Sequence, residues 1–265
     1  VADVDEIRDR GRLRMITRNN AATYFLWRGQ LLGFEYELAE RFADELGVTL
    51  DVIVAPSHEQ LLPMLEAGEG DFVAAYLVPT EDRKTQAAFS RPYHFASEVV
   101  VGRKAETPMT SVDDLNGRTI VVRRSSAYWE TLKALQDRSD LEFKVVLAPS
   151  DMETQELIQA VAEGRYDLTV ADSHILNIEM TWRDDITGLI NLTDKHPHAW
   201  AVHPESTELL EVMNGYLTRA YRGLHYNLSY AKYFQDAHFK PEEDTELFSP
   251  GRISPYDALV RKYAE

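Results

Sequence analysis

One pattern occurs twice in this chain, and it limits the possible folds more than any other feature. Leu157–Asp172 reads LIQAVAEGRYDLTVAD: the end of an amphipathic helix, a stop at Gly164, a short turn, then a buried strand delivering Asp172 to its carboxyl end. Leu61–Tyr76, LLPMLEAGEGDFVAAY, is the same unit 96 positions earlier, with Leu61 against Leu157, Gly68 against Gly164 and Asp71 against Asp167. A second repeat precedes each. Gly11-Arg12 opens a strand that ends at Arg18-Asn19-Asn20, and Gly117-Arg118 opens one that ends at Arg124-Ser125-Ser126. Two motifs repeated in the same order predict two similar lobes.

Between the repeats the periodicities alternate. Phe34, Leu38, Phe42 and Leu46 fall four apart, which predicts a helix over 33–47 closed by Gly47. Val48–Val54 alternates and is β-branched, so it reads as a strand. A helix over 59–67 and a strand over 72–77 follow. The second half repeats this with a strand at 120–123, a helix over 126–138, a strand at 143–147 and a helix over 154–164. Strands alternating with helices predict an α/β protein: two lobes, each a parallel-majority sheet flanked by helices. Glu98–Gly102 reads as a strand leaving the first lobe, with crossings at 103–108 and 193–198. Residues 1–102 plus 199–265 would then form lobe one, and 103–198 an inserted lobe two that closes by hinge motion.

Composition excludes several classes. A formal net charge of −16, from 44 acidic and 28 basic residues, argues against a nucleic-acid partner. The absence of cysteine rules out disulfides, thiolate zinc sites and cysteine nucleophiles. No apolar run approaches the ~20 residues of a membrane span. Val1–Arg14 is too charged for a signal peptide. No phosphate-binding loop, Gly-x-Ser-x-Gly elbow or His-Glu-x-x-His motif is present, so no cofactor is expected. His196-x-His198 can point two rings to one side of a strand. No acidic residue follows at a metal-site spacing, so both read as loop histidines and no metal is expected.

Open parallel sheets bind ligands beyond the carboxyl ends of their strands. That rule selects Arg18, Asn20, Tyr24, Tyr76, Val78, Arg83, Arg123, Ser125, Ser126 and Asp172, with Asn19 and Arg124 beside them and His58 in the loop after the 48–54 strand. Ser125-Ser126 precedes a helix whose N–H groups suit an anion. Arg83 offers a two-pronged donor for a carboxylate, and Asp172 an acceptor for an ammonium. Together they would clamp an amino acid or a peptide end. Plainer roles compete: Arg83 as a solvated charge, Ser126 and Asp172 as helix caps, Arg123 as an answer to the acidic surface, Tyr24 as core or rim.

These residues also carry a resemblance. Gly33-Phe34-Glu35-Tyr36-Glu37-Leu38-Ala39, Gly68-x-x-Asp71, Thr80-Glu81-Asp82-Arg83-Lys84, Phe89-Ser90-x-Pro92-Tyr93 and Asp114-Leu115-Asn116-Gly117-Arg118 resemble family 3 extracellular solute-binding proteins, over about 10–235. The resemblance implies a two-lobed periplasmic-binding fold of type II, a periplasmic location and small polar ligands. It places the carboxylate-binding arginine at Arg83 and the ammonium-binding aspartate at Asp172. Thr17-Arg18-Asn19-Asn20, Glu153-Thr154-x-Glu156-Leu157 and Ile253-Ser254-Pro255-Tyr256-Asp257 resemble the branch that forms the sensor part of murein-cleaving transglycosylases. In that branch the partners are an amino acid or a cell-wall stem peptide and a murein-cleaving domain of the same polypeptide, at the outer membrane. Its catalytic glutamate would lie beyond Glu265, so this chain is expected to be non-catalytic. Tyr76 and Val78 replace the family's usual glycine and threonine, and Arg18 stands where transport proteins often carry an acid. Two other readings share the fold: a stand-alone component of an amino-acid importer, and a periplasmic dehydratase.

Overall fold

The computed structural model describes residues 1–235. The Ile253-Ser254-Pro255-Tyr256-Asp257 motif lies outside the described residues. Two sheets form two lobes. In the first, the Thr49–Val54, Arg12–Thr17 and Phe72–Leu77 strands run parallel, and His196–Val202 joins antiparallel, with Ala88–Phe89 beyond it. In the second, Lys144–Ala148, Thr119–Arg123 and Leu168–Asp172 run parallel. Glu98–Arg103 joins antiparallel, with Ile186–Asn191 at the edge.

The repeats have a physical basis. Gly68 and Gly164 both stop their helices in the left-handed region, at φ 72° and 75°. The aspartate three residues on then fastens the neighbouring strand. Asp71 Oδ2 accepts from the Arg14 backbone N–H at 2.7 Å, and Asp167 Oδ2 from that of Thr119 at 3.1 Å. Each is also gripped by arginine: Arg10 and Arg14 on Asp71, Arg118 in a two-pronged contact on Asp167.

One boundary expectation is corrected. Glu98–Arg103 is not a first-lobe strand, because it pairs with Leu168–Asp172 and with Ile186–Asn191 in the second sheet. The first connection therefore precedes Glu98 rather than following Gly102. The second precedes His196, since His196–Val202 pairs with first-sheet strands from its first residue. Each lobe thus takes its antiparallel strand from beside a crossing. Alternation identifies a strand but not the sheet that receives it.

The main core lies under the first sheet, where Phe34, Phe42, Phe72 and Trp200 are fully enclosed. One acid is buried with them. Glu35 accepts from Trp200 Nε1 at 2.7 Å, from the Tyr76 N–H at 2.9 Å and from the Tyr93 hydroxyl. An aromatic helix at Leu224–Tyr230 packs onto this core, and Phe34 meets Tyr226 edge-on at 5.1 Å.

Candidate functional site

The carboxyl ends of both sheets face one cavity of about 60 Å³ between the lobes. A single water needs roughly 10–15 Å³ measured this way, so the space suits a small group or a few waters. The first lobe contributes Arg18 and Asn20 from the loop after Arg12–Thr17, His58 from the loop after Thr49–Val54, and Tyr76, Val78 and Arg83 from the end of Phe72–Leu77 and the helical turn after it. The second contributes Arg123 and Asp172, each the last residue of its strand, and Ser126, the cap of the Ala127–Asp137 helix.

Four expected residues, Asn19, Tyr24, Arg124 and Ser125, lie off the cavity wall. Ser125 acts through its carbonyl, which accepts from Arg83 at 2.8 Å. Tyr24 is buried against Tyr36, with ring centroids 5.6 Å apart, and is a core residue. Arg124 lies over the Trp129 ring at 3.5 Å. Ser126 is also a true cap, accepting from the Trp129 N–H at 3.4 Å and donating to the Arg123 carbonyl at 2.7 Å.

The lobes touch directly. Arg83 donates to the Val78 carbonyl on its own lobe and to the Ser125 carbonyl across the cleft. Arg18 Nε and Asn20 Nδ2 hold the two oxygens of Glu153 on the opposite lobe, at 2.6 and 3.0 Å. Glu153 lies on the cavity wall and escaped the sequence reading as a site residue. It appeared in the sequence only within the branch motif Glu153-Thr154-x-Glu156-Leu157, and in the structure it forms a capping box with Glu156. Arg123 donates to the Met152 carbonyl at 2.6 Å, and its Nε lacks a partner. Three buried guanidiniums therefore share one wall. Burial, then Arg123, Arg83 and Arg18, push the imidazole of His58 well below its ordinary pKa, so it stays neutral there.

Asp172 lines the same cavity, but its carboxylate already faces two imidazoles. His198 Nε2 lies 3.1 Å from one oxygen and His196 Nε2 3.5 Å from the other. Burial pushes its carboxyl up, but His198, His196 and His174 more than reverse this and leave it well below the usual range. Burial tends to lower His196, whereas Asp172 raises it to a net upward shift. The reading of His196 and His198 as loop histidines is corrected: both lie on the His196–Val202 strand. The acid they meet comes earlier in the chain, where no spacing rule looks for it.

The fold and the cleft define a two-lobed binding protein of periplasmic type II. The model of bacterial extracellular solute-binding proteins, family 3, matches residues 13–236. The chain belongs to that family. Its relatives include membrane-bound lytic murein transglycosylase F of Desulfosudis oleivorans, 33% identical over 98% of this chain and 57% of the relative. The protein of the same name from Pseudomonas savastanoi pv. phaseolicola is 37% identical over 82% of this chain and 44% of the relative. The chain thus spans about half the length of these relatives. Among solved structures, an ancestral arginine-binding protein bound to arginine superposes with a TM-score of 0.72 at 28% identity, covering 85% of this chain and 99% of that one. A solute receptor for L-cysteine of Neisseria gonorrhoeae reaches 0.77 at 22% identity, covering 91% and 98%, and so shares the fold.

Proposed function

We propose that this chain is the ligand-sensing part of a periplasmic murein-cleaving protein. An amino acid or a cell-wall stem peptide binds between the lobes and favours their closed arrangement. That closure regulates a transglycosylase domain on the same polypeptide, associated with the outer membrane. The observation that carries the reading is the convergence of the Arg18, Arg83 and Arg123 guanidiniums on one buried cavity. Such a wall suits carboxylates, and Arg83 supplies the planar fork that grips one with two parallel bonds. The ligand's ammonium would meet Asp172. Relatives named as murein transglycosylases support the regulatory half of the proposal.

Isothermal titration of the common amino acids and of murein stem peptides tests it. Binding by one class, weakened more than tenfold in Arg83→Lys, is expected, because lysine keeps the charge but loses the fork. No binding by either class to a well-folded sample sinks the proposal.

A second reading, the binding component of an amino-acid importer, is favoured by likeness to an arginine-binding protein at 28% identity. Reading the gene past Glu265 separates the two: a murein-cleaving domain supports the first, a stop codon the second.

A further inference from the structure

We propose that Asp172, His196 and His198 form a binding site for one divalent transition metal of the zinc class, placed at the hinge between the lobes. Nothing in the ligand reading requires this site. It rests on where the two imidazoles point.

His196 and His198 are two apart on one strand, so their side chains share a face. Each ring is held at Nδ1. His198 Nδ1 is 2.9 Å from His94 Nδ1, and His196 Nδ1 is 3.2 Å from the Thr193 hydroxyl. Metal-ligating histidines are oriented in this way, by a partner on the nitrogen that does not bind the metal. Both Nε2 atoms are left facing the Asp172 carboxylate, His198 at 3.1 Å from Oδ2 and His196 at 3.5 Å from Oδ1, so each imidazole has its own carboxylate oxygen as neighbour. Ligands at ~2.0–2.1 Å around a tetrahedral zinc are separated by roughly 3.3 Å, which these two distances bracket. One nitrogen from each histidine and one Asp172 oxygen lie within 4.8 Å of one another.

An ion pair alone explains the arrangement less well. Neither Nε2 makes an aligned hydrogen bond to the carboxylate, and Asp172 Oδ1 is buried without a hydrogen-bond partner. His174, 2% exposed beside the site, has no partner for either ring nitrogen. Its ring centroid lies 5.6 Å from that of His198. Groups that converge on one point, and not on each other, suit a shared cation. Two imidazoles and a carboxylate select zinc, cobalt or nickel. Calcium takes six to eight oxygens and magnesium near-octahedral oxygen, neither of which this set supplies.

The position gives the site a consequence. Asp172 ends a second-lobe strand, whereas His196 and His198 begin a strand of the first-lobe sheet. A metal held by all three ties the lobes together at the crossing. Because Asp172 also lines the cavity, the metal competes with a ligand ammonium for the same carboxylate.

The test uses the tag-free chain, stripped with chelator and free of amino acids. Cobalt(II) is titrated in and its visible absorption followed. Zinc affinity is then measured against a chromophoric chelator. We expect one metal per chain and the intense bands of low-coordinate cobalt. Affinity should fall more than 100-fold in His196→Gln and in His198→Gln, and be unchanged in His203→Gln, whose ring lies elsewhere. If the buried His198 variant does not fold, the partly exposed His196 variant carries the result. Wild-type chain that takes up no stoichiometric metal overturns the proposal. So does equal affinity in His196→Gln. Either failure leaves amino-acid binding at Arg83 intact, so the two readings stand or fall separately.

Discussion

Arg18 and Glu153 join the two lobes across the cleft: Arg18 Nε donates to Glu153 Oε1 at 2.6 Å, with both side chains largely buried, at 7% and 15% exposed. Asn20 takes the other oxygen of the same carboxylate. A second-lobe acid thus occupies the Arg18 guanidinium and the Asn20 amide at one end of the cavity, where an incoming carboxylate would also be drawn. Ligand entry at that end requires this pair to part.

Removing Glu153 should loosen the closed arrangement. Breaking a fully buried ion pair costs about 3–5 kcal/mol, and the residual exposure here reduces that to about 2. Glu153→Ala is expected to lower stability by that amount in urea denaturation and to raise the radius of gyration in solution scattering. An unchanged radius would mean that the pair does not hold the lobes closed.

Glu35 should make stability fall as pH rises. Burial pushes its carboxyl up to about 7, and hydrogen bonds from Tyr93, Trp200 and the Tyr76 N–H only partly offset this. The folded chain then keeps a proton that the unfolded chain releases near pH 4.5. Its contribution is present below about pH 4.5 and is lost as pH climbs to about 7, by at most about 3 kcal/mol. The difference in thermal midpoint between wild type and Glu35→Gln, followed from pH 5 to 8, should change in Gln's favour. A constant difference would show that Glu35 titrates normally.

Gly33 should tolerate no side chain. It opens the Phe34–Leu46 helix at φ 135°, and an added Cβ would sit 2.2 Å from the Thr23 carbonyl oxygen. Backbone cannot move aside as a flexible side chain can. Gly33→Ala is expected to cost about 3 kcal/mol or more, measured by chemical denaturation. Gly47→Ala, with positive φ but open space, should cost less.

The repeated aspartates should differ in weight. The Asp71 side chain is fully enclosed between Arg10 and Arg14, while that of Asp167 is 30% exposed. Leaving buried donors unpaired costs ~1–3 kcal/mol per group. Asp71→Ala should therefore destabilise the chain more than Asp167→Ala, by about 1–2 kcal/mol in paired urea curves. Equal losses would mean that burial does not decide their strength.

Much of the architecture was legible. The paired Gly68/Gly164 and Asp71/Asp167 positions announced two similar lobes, because the same helix stop and the same strand clamp need the same residue types at the same spacing. The rule of strand carboxyl ends picked Arg18, Asn20, Tyr76, Arg83, Arg123 and Asp172, all of which the structure places on one cavity wall. Glu153 was hidden by its double use, since a capping carboxylate looks the same whether or not an arginine waits across the cleft. His196 and His198 were hidden for a related reason. Their acidic neighbour is brought by a different strand of a different lobe.

The order of helices and strands, the stops between them and the duplication came from local chemistry: side-chain period, glycine's access to positive φ, and short-range capping. Such forces act within a few residues, so the amino-acid order alone encodes them. Which sheet receives Glu98–Arg103, which acid meets Arg18, and which carboxylate the two imidazoles converge upon were decided in three dimensions. Those choices join segments far apart in the chain, and their energies arise only when two lobes bury their facing polar groups against each other.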